Sequence, residues 1–127
     1  MAPQPACTIL VIDDDPSIVS ALARLLQRDG HTVETADNGQ HALERLREHP
    51  YDLLLCDLRM PDIDGPAFYD LLTRQYPSMC PRVIFLTGDT LSLESQAFLE
   101  RSGRLWLPKP FNAAAVRSVI AQALHMG

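Results

Sequence analysis

The feature that most restricts this chain is the run Leu53-Leu54-Leu55-Cys56, closed by Asp52 on one side and Asp57 on the other. A run this short and continuous shows neither the 3.6-residue period of a surface helix nor the alternation of a half-exposed strand. It fits a strand covered on both faces, which is the condition of a parallel sheet flanked by helices. The run ends on a carboxylate, Asp57, and a loop rich in Pro, Asp and Gly follows at once: Leu58-Arg59-Met60-Pro61-Asp62-Ile63-Asp64-Gly65. Ligands and chemistry gather just beyond the carboxyl ends of such strands, so Asp57 reads as a group delivered to an active edge.

The rest of the chain repeats the pattern. Thr8-Ile9-Leu10-Val11-Ile12 reads as a first strand ending at Asp13-Asp14-Asp15. Asp15 before Pro16 suits a helix cap followed by proline at the first helical position. Ile18, Leu22, Leu25 and Leu26 then recur at helical spacing up to Gly30. His31 to Ala36 is a short second strand, and Asp37-Asn38-Gly39 a turn or cap before a helix carrying Ala42, Leu43 and Leu46. Beyond the opening stretch, Asp64-Gly65-Pro66 starts a third helix through Phe68, Leu71 and Leu72, and Pro77 and Pro81 bracket an expected loop. Arg82 to Leu86 is a fourth strand ending at Thr87-Gly88-Asp89. Ser92 to Ser102 is a weaker helix with Leu93, Ala97 and Phe98 on one side, closed by Gly103. Arg104 to Leu107 is a fifth strand ending at Pro108-Lys109-Pro110-Phe111, and Asn112 can cap a last helix through Val116, Val119, Ile120, Ala123 and Leu124.

Strands alternating with helices predict one doubly wound α/β domain, a three-layer sandwich built on a parallel sheet of five strands with five helices. Residues 1–6 are expected to be a Pro-rich tail and 7–127 the domain. A net charge of -5 argues against a broad face for nucleic acid. No apolar run approaches the length needed to cross a bilayer, and the start lacks the pattern of a signal peptide. Cys7, Cys56 and Cys80 show no metal spacing and read as reduced thiols, so a cytoplasmic protein is expected.

Polar groups collect at the strand ends: Asp13 and Asp14, Asp57, Thr87 and Lys109. In the strand order 2-1-3-4-5 the first and third strands are neighbours, which brings the three aspartates into one pocket. Carboxylates so crowded repel one another. A small oxygen-liganded cation such as Mg²⁺ relieves that and keeps waters for a phosphate group. A carboxylate can attack phosphorus to form an aspartyl phosphate, and a cation and an ammonium can neutralise the phosphoryl oxygens. Each group taken alone has an ordinary reading, as a solvated cap, a turn former or a surface lysine. Their placement at the same end of different strands is what those readings explain poorly.

The sequence resembles the receiver domains of two-component response regulators. The motifs that carry the likeness are Ile9-Leu10-Val11-Ile12-Asp13-Asp14-Asp15-Pro16, Asp57 to Gly65, Val83-Ile84-Phe85-Leu86-Thr87-Gly88 and Leu107-Pro108-Lys109-Pro110-Phe111, in the family's order and spanning nearly the whole chain. The resemblance implies a flavodoxin-like (CheY-like) fold. It implies Asp57 as phospho-acceptor and Asp14 as direct ligand of Mg²⁺, for which Mn²⁺ could substitute, with Asp13 acting through water. Arg59 would lend its backbone carbonyl to the metal, Thr87 would be the switch hydroxyl, Lys109 would contact the phosphoryl group, and the Lys109-Pro110 bond would be cis. The family's switching aromatic falls on Trp106, where Tyr or Phe is commoner. A half-buried strand residue facing the fourth helix is the other reading of Trp106. Arg59 and Asp89 stand at positions that tune dephosphorylation in the family.

The implied activity is acceptance of a phosphoryl group from a histidine kinase or a histidine phosphotransfer domain, followed by a change in the surface of helix 4, strand 5 and helix 5. The face from Leu91 to Arg104 with the last helix is the expected partner surface, and it could also serve a homodimer. A domain that catalyses its own phosphotransfer and dephosphorylation is not a conventional enzyme. The competing reading is a Mg²⁺-dependent phosphohydrolase working through an aspartyl phosphate. It wants a carboxylate two residues after the nucleophile, where Arg59 stands, and a substrate-covering cap. A flavin-binding module would want a Ser/Thr/Gly-rich phosphate loop where the three aspartates lie. The stretch from Leu86 to Thr90 with Phe98 to Arg101 resembles receivers of hybrid histidine kinases, so a stand-alone regulator and a receiver cut from a longer protein are both expected forms.

Overall fold

A computed structural model describes residues 6–88 and 92–126. Its strands β1 (Thr8–Ile12), β2 (Thr32–Ala36), β3 (Leu53–Asp57), β4 (Val83–Thr87) and β5 (Leu105–Pro108) form one sheet in the order β2-β1-β3-β4-β5. All the pairings are parallel, with Ile12 opposite Cys56 and Asp57 opposite Leu86. The helices are α1 (Pro16–Arg28), α2 (Gly39–Glu48), α3 (Gly65–Gln75), α4 (Leu93–Ser102) and α5 (Ala113–Met126). The expected architecture and strand order are those observed.

Alternation along the strands divides the core into two layers. Leu10, Ile12, Leu54, Cys56, Val83 and Phe85 point to one face and meet Ala42 and Leu46 of α2, Phe68 and Leu72 of α3, and Phe98 and Leu99 of α4. Ile9, Val11, Leu53, Leu55, Ile84, Leu86 and Leu107 point to the other and meet Leu22 and Leu26 of α1 and Val116 and Ile120 of α5. Every residue of β3 is buried, which explains why its sequence has no polar alternation. Burial of this kind supplies about 25 cal/mol per Å² of apolar surface, and β4 is buried as fully as β3.

The helices begin where short polar side chains cap them. Asp15, Asn38, Asp64 and Ser92 each accept a hydrogen bond from a backbone N–H of the first turn, and Asn112 Oδ1 accepts from Ala115 N–H at 2.8 Å. All five caps close a strand-to-helix loop, so capping also fixes where each loop ends.

Two local expectations are corrected. The segment bracketed by Pro77 and Pro81 is a 3₁₀ helix, Pro77–Arg82, with Met79 buried beneath it. Its proline at the first position needs no N–H partner, which makes a tight helical turn as acceptable there as a loop. In α4 the inward stripe contains Phe98 and Leu99, while Leu93 is 84% exposed and Ala97 is also exposed. Phe98 is held by two aromatic edges, Phe85 at 5.1 Å and Tyr69 at 5.8 Å between ring centroids. That cluster sets the rotation of α4 and turns Leu93 outward.

Candidate functional site

The carboxyl ends of β1, β3 and β5 deliver the site. Asp13 directly follows β1, and its N–H donates to Ala36 O of β2 at 3.1 Å. Its two carboxylate oxygens are both engaged: Oδ1 accepts from Asp15 N–H at 3.0 Å, and Oδ2 from Lys109 Nζ at 3.0 Å. Asp13 is 1% exposed, whereas Asp14 is exposed. Asp57 closes β3 and is nearly buried. Lys109 Nζ lies 3.4 Å from Asp57 Oδ2, and Arg59 N–H lies 3.4 Å from Oδ1. One oxygen from each of Asp13, Asp14 and Asp57 falls within 4.8 Å of the others.

Lys109 is the only lysine of the chain. Burial works against its charge, but the hydrogen bond to Asp13 and the field of Asp57 outweigh that and raise its pKa. Asp57 is pushed up to about 6, first by burial and then by repulsion from Asp13, with Lys109 pulling the other way. One ammonium therefore offsets only part of the charge of three carboxylates. The donors are all hard oxygens, the type a small divalent cation takes, and Asp14 brings its carboxylate from the solvent side. The residues present fit such an ion.

The other strand end, β4, finishes on Thr87, which is fully buried. Its hydroxyl is the one buried side-chain oxygen or nitrogen without a hydrogen-bond partner among the described residues. An unpaired buried hydroxyl costs about 1–3 kcal/mol. Thr87 O accepts from Lys109 N–H at 2.7 Å, tying the two strand ends together. The Lys109-Pro110 peptide is cis.

The loop after β3 is fastened at both ends. Leu58 N–H donates to Leu86 O at 3.0 Å, and Leu58 O accepts from Gly65 N–H at 2.9 Å. A Cβ on Gly65 would lie 2.8 Å from Leu58 Cα and 2.9 Å from Asp57 O. Glycine thus lets the start of α3 press against the backbone of the aspartate itself. In the sequence Gly65 was legible only as a helix start, because a close approach leaves no periodic signal.

The structure brings Asp13, Asp14, Asp57 and Lys109 together, with Arg59 beside Asp57 and Thr87 one strand away. Trp106 is not among them. It is 44% exposed on β5 and lines a shallow groove with Gln96, Leu99 and Glu100 of α4. Asp89 and Leu91, the other expected contributors, lie outside the described residues.

A sequence profile described as the response regulator receiver domain matches residues 9–121. The chain belongs to that family. Among proteins similar to this receiver domain, the transcriptional regulatory protein TcrA of Mycobacterium tuberculosis is 36% identical over 104 residues, which cover 82% of this chain and 40% of TcrA. The DNA-binding transcriptional regulator NtrC of Proteus hauseri is 31% identical over 116 residues, covering 91% of this chain and 24% of NtrC. The signal transduction histidine-protein kinase BarA of Escherichia coli is 28% identical over 115 residues, only 12% of its length. The receiver domain here therefore spans less than half the length of these relatives, which include both regulators and a kinase. Among solved structures, chemotaxis protein CheY4 of Vibrio cholerae superposes with a TM-score of 0.81 at 27% identity, covering 94% of this chain and 99% of that one. The receiver domain is thus a module of two-component signalling. No helix among its described residues is long and apolar enough to cross a membrane.

Proposed function

We propose that this receiver domain takes a phosphoryl group onto Asp57 in a reaction that needs a divalent cation, Mg²⁺ or Mn²⁺. The observation that carries the reading is a nearly buried carboxylate at the end of β3, faced by a second carboxylate and a lysine ammonium, with its pKa drawn up to about 6. At neutral pH that carboxylate is ionised yet poorly solvated, which suits a nucleophile. Asp57 attacks phosphorus, a new oxygen–phosphorus bond forms, and the bond from phosphorus to the donor's histidine nitrogen breaks. The imidazole leaves and regains its proton from solvent.

Asp14, Asp57 and the backbone carbonyl of Arg59 would hold the cation, with Asp13 supporting it through water. A bound cation supplies charge neutralisation for the phosphoryl oxygens. Lys109 moves no proton. It stays charged and offers its ammonium to the same oxygens, for which it must exchange its present contacts with Asp13 and Asp57. The buried hydroxyl of Thr87, unpaired among the described residues, would gain a hydrogen-bond partner when a phosphoryl oxygen appears beside it. Its movement would bias α4, β5 and α5 toward a second arrangement, a population shift driven by one local charge. The donor would be a phosphohistidine of a histidine kinase or phosphotransfer domain. The output would be a partner protein or a fused domain that reads α4, β5 and α5, a face that could also pair two copies of the chain.

Incubation with Mg²⁺ and acetyl phosphate, followed by intact mass, tests the reading. A phosphate-sized gain that disappears with a chelator and in Asp57→Asn is expected. No gain, or a gain that survives both, overturns it.

A further inference from the structure

Ile63 and Gly39 meet where the loop after β3 touches the first turn of α2, closer than a side chain on residue 39 would allow. A Cβ on Gly39 would lie 2.9 Å from Ile63 Cβ, 3.0 Å from its Cγ2 and 3.3 Å from its carbonyl oxygen. Gly39 is the first residue of α2 and is not among the glycines with positive φ. Its backbone is one any residue could adopt, and glycine is a poorer helix former than alanine. Space for Ile63 is the physical reason for it.

Ile63 is also aimed by its own loop. Asp62 has φ of 67°, which turns the chain just before it, and Ile63 N–H donates to Pro61 O at 2.8 Å. The side chain packs against the apolar layer that includes Ala42 and Leu46 of α2. Upstream, Leu58 and Met60 are buried and Arg59 between them is exposed. The loop thus has apolar anchors at Leu58, Met60 and Ile63, with Arg59 the exposed residue between the first two.

We propose that Ile63, seated in the notch left by Gly39, is a positioning residue that fixes the Arg59 backbone for the cation. The inference rests on the cation reading above and names what α2 contributes to it. Groups that orient a metal's ligands without touching the metal are typically worth about 10-fold or more in metal affinity.

The test is Mg²⁺ titration by calorimetry together with ¹H–¹⁵N spectra of the cation-free protein. Ile63→Ala removes Cγ2, and Gly39→Ala fills the notch. Both are expected to weaken Mg²⁺ by about 10-fold and to shift the Arg59 amide before any cation is added. Ile63→Val keeps Cβ and Cγ2 and should retain wild-type affinity. Asn38→Ala removes the cap that accepts from His41 N–H at 2.7 Å, lowering stability while leaving the notch open, and should also retain affinity. An unmoved Arg59 amide and unchanged affinity in Ile63→Ala would overturn the proposal, as would an equal loss in Asn38→Ala. If Gly39→Ala does not fold, the Ile63→Ala and Ile63→Val pair decides alone. Wild-type protein that takes no Mg²⁺ at all instead sinks the cation reading, and the amide shift still reports on the anchor.

Discussion

Lys109 Nζ donates to Asp13 Oδ2 at 3.0 Å, joining the loop after the last strand of the sheet to the end of the first. The same ammonium stands 3.4 Å from Asp57, so removing it leaves two nearly buried carboxylates facing each other. Lys109→Met is expected to raise the Asp57 pKa further above about 6 and to lower stability most at alkaline pH, because an uncompensated buried charge is the costly product of breaking such a pair. Denaturant melts at pH 5 and pH 8 measure this, and the loss should be larger at pH 8. Phosphorylation of the variant by acetyl phosphate should fall sharply.

The raised pKa of Asp57 fixes the direction of the pH dependence in cation-free protein. The folded state holds a proton on Asp57 up to about pH 6, whereas an unfolded chain releases it near pH 4. The folded state therefore binds more protons in that window, and this group's contribution to stability declines as pH rises from about 4 to 6. Asp57→Asn should flatten the decline and stabilise the protein at pH 7 by on the order of 1–2 kcal/mol, allowing for partial solvent screening. Added Mg²⁺ should shift the wild-type titration to lower pH.

Thr87→Val separates stability from signalling. The hydroxyl is buried without a partner among the described residues, so its replacement by a methyl of the same shape should be neutral or stabilising by up to about 1–2 kcal/mol. The variant should still accept a phosphoryl group. Amide shifts in α4 and β5 on phosphorylation should be much smaller than in wild type.

Gly65→Ala sets a new Cβ against backbone atoms, 2.8 Å from Leu58 Cα and 2.9 Å from Asp57 O. Neither can rotate away. The expected cost is about 1–3 kcal/mol in urea unfolding, with a slower phosphorylation rate because Asp57 itself is displaced. A stability loss with an unchanged rate would show that the aspartate tolerates the shift.

Trp106, the only tryptophan, gives a direct reading of the edge between β5 and α4. It lies 44% exposed beside Gln96, Leu99 and Glu100. If β5 and α4 rearrange on phosphorylation, its emission should change in intensity or wavelength, and Thr87→Val should suppress the change. A constant emission spectrum would assign the indole to packing alone.

The alternation of short apolar runs and capped helices made the parallel sheet and its helical layers legible, while the strand order came from the likeness to a known fold. The strand-end residues Asp13, Asp14, Asp57, Thr87 and Lys109 were legible for the same reason: strand ends in a parallel sheet share one edge. Rotation of α4 was not, because Leu93, Ala97, Phe98 and Leu99 offer two apolar faces, and only the rings of Phe85 and Tyr69 choose between them. The 3₁₀ helix after α3 was hidden by its prolines, which suit a loop equally well. Close approaches at Gly39 and Gly65 were hidden too, since a missing side chain carries no pattern.

The phosphoryl group is expected on Asp57. The most direct measurement is borohydride reduction of protein treated with acetyl phosphate and Mg²⁺, followed by peptide mapping, because reduction turns an aspartyl phosphate into homoserine at the modified position. Homoserine at position 57, absent when the cation is chelated, is the predicted result. Homoserine at Asp13, Asp14 or another aspartate, or none at all, would contradict it.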